Sequence, residues 1–389
     1  MKNICIVTGT RAEYGLLRPL ISKIDADKEM CLKLVVTGMH LSSEFGMTYQ
    51  EIEADGFEIS ERIEMLLSTD TSSGVLKSIG LEMIGFADYF NKQSIDMIIL
   101  LGDRYEIFIA AAAALIYGIP IAHIHGGEKT EGAVDEAFRH SITKMSTLHF
   151  ASTEEYRRRI IQMGEQPKNV YNVGALGVEN IKKTSFLTKE EVENVVGFKF
   201  DTPVFMVTYH PVTLEDATAE SQMDCLLKAL DSFSNCKVVF TKANSDVGGR
   251  IINQMIDSYV LKHRDRCVAF TSMGQKRYFD TIRYCTMVIG NSSSGIIEAP
   301  SFHIPTVNVG DRQRGRVCAK SIIQCGTDKE DIIRAIGSAF ELQKSGNLKD
   351  VINPYEGTGT VNKIADTISQ YLAKDRERKK QFFDIDFCI

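Results

Sequence analysis

Ile-Pro dipeptides at 119–120 and 304–305 mark equivalent places in two copies of one unit, and this repetition restricts the 389-residue chain more than any other feature. In the first copy MIILLGDRYE leads through an alanine-rich run to YGIPIAHIHGGE. In the second MVIGNSSSGIIE leads to FHIPTVNVGDRQRG, at an offset of 185. Each copy reads as apolar strand, loop, helix, Ile-Pro, strand and loop. Alternating strand and helix builds parallel sheet. Two such units in a chain too long for one ordinary core predict two similar doubly wound α/β domains facing across a cleft.

Residues 3–7 form a short apolar strand, followed by the turn Thr8 to Glu13 and a helix with Leu16, Leu17, Leu20, Ile21 and Ile24 on one face. A glycine turn that opens a helix can bind an anion through free N–H groups, and Arg11 adds a fixed positive charge. Without a G-x-G-x-x-G pattern, a generic strand-to-helix turn fits equally. The polar stretch Ser68 to Gly74 either covers a ligand or runs over the surface. Asn180 to Phe200 is polar and helical, as a connection between domains should be. The expected division is therefore 1–180 and 181–370, the second part having strands at 204–208, 237–241, 268–270, 287–290 and 306–309. In the tail, 371–389, a charge cluster predicts a solvated helix and the aromatic end predicts docking on the body.

A net charge of −6 without a basic stripe and interleaved aromatics speaks against nucleic acid and for a small ligand. The N-terminus enters a strand directly and no apolar run reaches about 18 residues, so neither export nor membrane insertion is expected and the location should be cytoplasmic. Nine scattered cysteines without a C-x-x-C pair read as free thiols, not as disulfides or a zinc site.

Chemistry concentrates between Ile98 and Lys144. Two loops there leave the carboxyl ends of adjacent strands, where open parallel sheets bind ligands. They hold Asp103, Arg104, His123, His125, Glu128, Asp135, Glu136, Arg139 and His140 within thirty-eight positions, a density that suggests proton chemistry. His123 and His125, two apart on a strand, should share a face. With Glu128 and Asp135 they match a metal-ligand pattern, but the neighbouring arginines and histidines favour binding anions and moving protons without a metal. Asp135 with Arg139, and Glu136 with His140, are i, i+4 pairs that can brace each other.

In the second unit, Asn291, Ser292, Ser293, Ser294 and Gly295 lie between a strand and the helix expected to carry Glu298. Hydroxyls and N–H groups at a helix start suit phosphate oxygens, and a carboxylate one turn on can accept from vicinal ribose hydroxyls. Serine N-capping is the alternative. One of Arg312, Arg314 and Arg316 is placed to pair with a diphosphate.

Taken together, GTRAEYG, GDRYE, HIHGGE with the following DE and RHSITK, YHP, GNSSSGIIE and GDRQRGR resemble, in this order, the hydrolysing UDP-N-acetylglucosamine 2-epimerases of sialic-acid biosynthesis. Relatives of that family act on UDP-diacetamido-trideoxy sugars in the legionaminic acid pathway. The resemblance implies the GT-B fold, a nucleotide held mainly by the second domain, a C-terminal segment crossing back to the first, no cofactor, and a homodimer or homotetramer. It implies conversion of UDP-N-acetylglucosamine and water to N-acetylmannosamine and UDP. A base removes the proton at carbon 2 while UDP leaves carbon 1, and the resulting 2-acetamidoglucal is rehydrated from the opposite face.

By motif, Asp103, Glu128 and Asp135 match the acid/base carboxylates, and His210 assists the leaving phosphate. Arg11, Ser292, Ser293, Glu298 and Arg316 match the nucleotide contacts, with Arg104, Arg139 and Asn244 as further ligands of the substrate. Some relatives carry glutamate where this chain has His125, and the loop from Glu128 to Asp135 is one residue longer, so Glu131 competes with Glu128 and Glu136 with Asp135. A GT-B glycosyltransferase would use the serine cradle and Glu298 alike but keep one base. A noncatalytic UDP-sugar sensor would have no use for the carboxylate cluster.

Overall fold

A computed structural model describes residues 1–67, 69, 71–131, 133–212, 218–244, 246–374 and 379–386. Seven strands belong to the first domain: β1 (Lys2–Thr8), β2 (Met30–Thr37), β3 (Ile59–Ile63), β4 (Met97–Leu101), β5 (Ile121–Ile124), β6 (Leu148–Ala151) and β7 (Val170–Asn172). Six belong to the second: β8 (Val204–Thr208), β9 (Lys237–Thr241), β10 (Cys267–Phe270), β11 (Met287–Gly290), β12 (Thr306–Val309) and β13 (Ile322–Cys325). Their orders are β3-β2-β1-β4-β5-β6-β7 and β10-β9-β8-β11-β12-β13. Every pairing is parallel. The central strands β4 and β8 are buried throughout, because helices cover both faces, and so they read as unbroken apolar runs.

The repeat seen in the sequence is a repeat in space. β4 and β5 hold the same positions relative to β1 as β11 and β12 hold relative to β8. Pro120 and Pro305 start the second strand of each copy, where the missing N–H costs no ladder bond. Their carbonyls accept from Ile98 N (2.9 Å) and Val288 N (3.0 Å), the same bond in both copies. In each sheet the strand order reverses at this point, opening a crevice beyond β1 and β4 and another beyond β8 and β11. The two crevices face each other, as the GT-B arrangement requires.

The structure adds to these expectations and in places corrects them. β13 was not foreseen, since IIQC is a short, half-exposed edge strand without alternation. The connection is helical as expected, built from Leu176–Lys183 and Lys189–Val196, and Val192 and Val196 already pack in the second domain's core. The chain returns to the first domain earlier than 371: Val361, Ile364, Ala365, Ile368 and Leu372 of the helix Thr360–Ala373 lie in one core with Leu17, Leu20 and Ile21. The tail docks on the body as expected, with Lys380 Nζ 2.7 Å from Glu165 and Phe383 N–H donating to Gly164 O at 2.8 Å; of the charge cluster expected to be helical, positions 375–378 lie outside the described residues, and 379–386 are not helical.

Of the stretch Ser68 to Gly74, positions 68 and 70 lie outside the described residues, and Ser72 already begins the helix Ser72–Lys92. The eight cysteines among the described residues are free thiols. No helix among those residues is long and apolar enough to cross a membrane.

One edge of the domain interface is apolar, with Tyr156, Ile160 and Val178 against Ile296, Ile297 and Tyr355. The other edge is ionic: Arg104 meets Asp246 at 3.0 Å and Arg250 meets Glu44 at 2.7 Å. The returning chain presses on Gly174, which has φ +83° and whose absent Cβ would stand 2.5 Å from Gly357 Cα and 2.6 Å from Gly357 N. Two backbones meet there with no flexible atom to give way. Gly174→Ala should therefore cost about 2 kcal/mol or more, from the left-handed backbone and the collision together. Urea unfolding of the variant beside wild type checks this, an unchanged midpoint being the contrary result.

Candidate active site

Between the two crevices lies a cavity of about 340 Å³. Asp103 enters it from the loop that Gly102, at φ +83°, turns out of β4. Asp103 is ion-paired to Arg139, which projects from the helix Asp135–Met145 and is 1 % exposed. The same guanidinium donates to Glu128 O (2.9 Å), Glu136 Oε2 (3.0 Å) and Thr130 Oγ1 (2.8 Å). One buried cation thus ties the loops after β4 and β5 to the start of that helix.

Glu128 accepts from Ser152 Oγ at 2.7 Å and is ion-paired with Arg316, which comes from the second domain. Arg316 and Glu128 are both buried, so the acid/base loop and the arginine loop close on each other through a desolvated pair.

His123 and His125 do not share a face. β5 stops at Ile124, and His125 takes a left-handed conformation with φ +66° that no regular strand accommodates. His123 stays in the core, with Nε2 2.8 Å from Gly102 O and Nδ1 3.2 Å from Thr143 Oγ1. Because a carbonyl only accepts, Nε2 carries the proton. His125 faces the cavity with Nδ1 3.6 Å from Glu128 and with its buried Nε2 unpartnered. Among the described residues no three His, Cys, Asp or Glu side chains are grouped to hold a metal ion.

Of the two i, i+4 pairs, Glu136 and His140 meet at 3.1 Å, whereas Arg139 turns from Asp135 to Asp103 and Glu136. Glu136 lies behind the cavity wall, accepting from Thr130 N. It braces Arg139 while Asp135 lines the cavity. Glu131 sits at the mouth, 3.5 Å from Arg314.

These environments separate the carboxyl groups. Burial disfavours ionised Asp103, but Arg139 and then Arg316 more than reverse it, so Asp103 stays below its usual range. Burial likewise opposes ionised Glu128, and Arg316 followed by His125 and Arg139 overcomes it. Asp135 has no such partner: burial, then Asp103 and Asp246, raise it to about 7. The acid/base loops of the first domain therefore offer two held carboxylates, Asp103 and Glu128, and one acid, Asp135, that titrates near neutrality. His210 is pushed down to about 3 by burial and then by Arg312, so its imidazole is neutral at physiological pH.

On the second domain, Ser292 caps the five-residue helix Ser293–Ile297, accepting from Ser294 N at 3.4 Å, and Ser292, Ser293 and Ser294 line the cavity. Glu298 is not inside a continuous helix. It sits at the joint with the 3₁₀ turn Ala299–Phe302, 6 % exposed, and burial raises its carboxyl to about 7. Asn291 is fully buried behind the wall and pins His210, accepting from its N at 2.7 Å and donating to its O at 2.8 Å. Gly295 is packed beneath the serines, its carbonyl accepting from Thr306 Oγ1 at 2.8 Å. Arg104, Asn244, Arg312 and Arg316 line the cavity, and Arg314 is exposed.

Arg11 is not part of the lining: its Nε lies 2.6 Å from Glu51, and Gly274 packs on its guanidinium. The turn presents Thr10 and Glu13 instead. Glu13 accepts from Gly9 N (2.8 Å) and Thr10 N (3.2 Å), so it occupies the amides that an anion would need. Thr10-x-x-Glu13 is a capping box, a signal that the sequence itself carries. Thr130, Gln313 and Tyr278 also line the cavity without having been foreseen, and nothing in their local sequence marks them.

Asp135 gives a test that needs no ligand. A carboxyl raised from 3.8 to about 7 on folding adds stability that is complete below its unfolded value and lost as pH rises through about 7. Asp135→Asn removes this loss, so the stability of the variant relative to wild type should improve from pH 4 to pH 8. Denaturant midpoints across that range check the sign, and a constant difference would contradict it.

Comparison with known proteins bears on the family and the fold. The family model described as UDP-N-acetylglucosamine 2-epimerase matches residues 22–369. A Campylobacter jejuni protein named GDP/UDP-N,N'-diacetylbacillosamine 2-epimerase (hydrolyzing) is 40% identical over 388 residues, covering 99% of both chains. The Escherichia coli polysialic acid biosynthesis protein P7 is 38% identical, covering 100% of this chain and 99% of that one. Among solved structures, the S. aureus MnaA–UDP co-structure superposes with a TM-score of 0.78 at 19% identity, over 98% of this chain and 100% of that one. With the model matched along nearly the whole length and relatives this similar from end to end, the chain belongs to the UDP-N-acetylglucosamine 2-epimerase family.

Proposed function

We propose that the chain is a hydrolysing 2-epimerase that converts UDP-N-acetylglucosamine and water to N-acetylmannosamine and UDP, by elimination to 2-acetamidoglucal and rehydration, for sialic-acid synthesis. The observation that carries this reading is the split among the cavity carboxyls: Asp103 and Glu128 are held ionised while Asp135 titrates near neutrality. Elimination and rehydration at one carbon require groups that both give and take protons near the operating pH. Asp135 is suited to that exchange, and Asp103 beside it keeps its affinity for a proton high.

Glu128 is the second proton carrier. In the free protein Arg316 neutralises it. A diphosphate arriving at the serine cradle draws Arg316 toward itself, which loosens the pair and raises the basicity of Glu128 when substrate is present. Neutral His210 and the Arg312 guanidinium stabilise charge on the departing phosphate. Ser292, Ser293 and Ser294 hold the phosphates and Glu298 the ribose. No step in this scheme uses a cofactor. Arg11, held by Glu51, stands outside it unless the first turn rearranges.

A second reading concerns only the sugar. The 40% identical relative is named for a diacetylbacillosamine substrate, which favours UDP-2,4-diacetamido-2,4,6-trideoxyglucose. A homodimer or homotetramer is also proposed, supported by exposed Leu81, Ile84, Leu115 and Ile116 on two helices that pack side by side, Ser72–Lys92 and Tyr105–Ile116. Sedimentation at micromolar concentration should give a multiple of 43.4 kDa, and a monomer would refute it.

Turnover of each UDP-sugar in heavy water should release UDP and place deuterium at carbon 2 of the free sugar, because the proton removed there is replaced from solvent. A glycosyltransferase or simple hydrolase leaves carbon 2 untouched. Asp103→Asn, Glu128→Gln and Asp135→Asn should each lower turnover by about 10²–10⁴ with little change in UDP affinity. Retention of the original hydrogen, or near-full activity of all three variants, would rule the assignment out.

A further inference from the structure

Asp246, in the loop after β9 in the second domain, has no place in the scheme above, yet it holds Arg104, which lines the cavity and matches a substrate ligand by motif. Arg104 lines the cavity and is fixed from behind by Glu106, its Nε donating to Oε2 (3.1 Å) and Nη2 to Oε1 (3.0 Å). Its remaining nitrogen, Nη1, donates across the cleft to Asp246 Oδ1 at 3.0 Å. Both side chains are largely withdrawn from water, at 11% and 17% exposure.

Asp246 itself does not line the catalytic cavity. It faces a smaller side cavity of about 50 Å³ walled by Leu66, Leu67, Val75 and Asn253. The ion pair is thus a partition, with Arg104 on the substrate's side and Asp246 on the other. It also lies with a second ion pair between the domains, Arg250 to Glu44 at 2.7 Å, and apart from the apolar cluster of the interface.

We propose that Asp246 is a positioning residue that clamps the second domain onto Arg104, holding the cleft closed and fixing the charges that face Asp103 and Asp135. The inference rests on the acid/base reading above. Glu106 leaves Arg104 one donor edge directed at the second domain, and a carboxylate meets it there. The groups facing Asp135 are Asp103, Asp246, Arg312 and Arg104, and those facing Asp246 are Arg104, Arg312, His210 and Asp135. Asp246 contributes negative charge at Asp135, so removing it favours ionised Asp135, and opening the cleft does the same by relieving burial, the largest influence, which outweighs the withdrawal of Arg312.

The test uses the full chain as wild type and as Asp246→Asn, which keeps size and hydrogen bonding but removes the charge. Turnover should fall roughly ten- to a hundredfold through misplacement of the reacting groups, while UDP affinity holds. The limb of the pH–turnover profile that Asp135 governs should move to lower pH, an effect that simple loss of stability would not produce. Small-angle scattering of the ligand-free variant should give a larger radius of gyration. Scattering decides the clamp and the limb decides the charge, and either one unchanged overturns the proposal. If the wild type releases UDP from neither UDP-N-acetylglucosamine nor the diacetamido sugar, the proposed function is what fails. Scattering then still decides the clamp, and the Asp135-dependent change of stability with pH, compared with and without Asp246→Asn, takes the place of the limb.

Discussion

A guanidinium cannot shed its charge at any pH a cell meets, so a buried arginine dictates what surrounds it. Three of them organise this cleft. Arg139 binds Asp103 and Glu136, Arg104 binds Glu106 and Asp246, and Arg316 binds Glu128. Each needs a carboxylate, because removing one partner of a buried pair leaves a charge costing about 3–5 kcal/mol. The acidic residues of the site are therefore structural counterions as well as candidates for chemistry. Asp135 differs from Asp103 and Glu128 in having no arginine to itself, and that difference sets its protonation apart from theirs.

Much of the architecture is written in patterns that survive without coordinates. Strands covered on both faces must be apolar throughout, so Met97–Leu101 and Val204–Thr208 are visible as runs. The paired Ile-Pro dipeptides mark the start of the second strand in each copy and gave the duplication its register. The serine loop after β11 was legible because helix-start chemistry is local: a strand, small polar residues and a helix determine it within a few positions.

Other features depend on contacts that no short window contains. Arg11 looked like an anion ligand from its turn, but Glu51, forty positions on, claims its guanidinium. His125 looked like the second residue of an alternating strand, but β5 ends one position earlier and the backbone turns left-handed. Sequence periodicity cannot register such a reversal, since histidine, though commoner there than most side chains, adopts that conformation only in a small minority of cases. An unpartnered ring nitrogen at a strained position in the cavity is where backbone strain tends to be stored for use. Asp246 escaped notice for the opposite reason: its meaning comes entirely from Arg104, which lies 142 residues away.

The helix Thr360–Ala373 completes the core of the domain that begins at residue 2, so in the order of the chain the second domain is an insertion within the first. On a ribosome that emits the chain from its N-terminus, domains ordinarily fold in sequence as they emerge. Here the first sheet emerges early but waits with Leu17, Leu20 and Ile21 uncovered until some 350 further residues have been made. The second domain, whose strands all lie between 204 and 325, needs nothing from the last helix and can close first. Vectorial synthesis thus favours the reverse of the written order, with the nascent acid/base half as the part most exposed to chaperones and to aggregation.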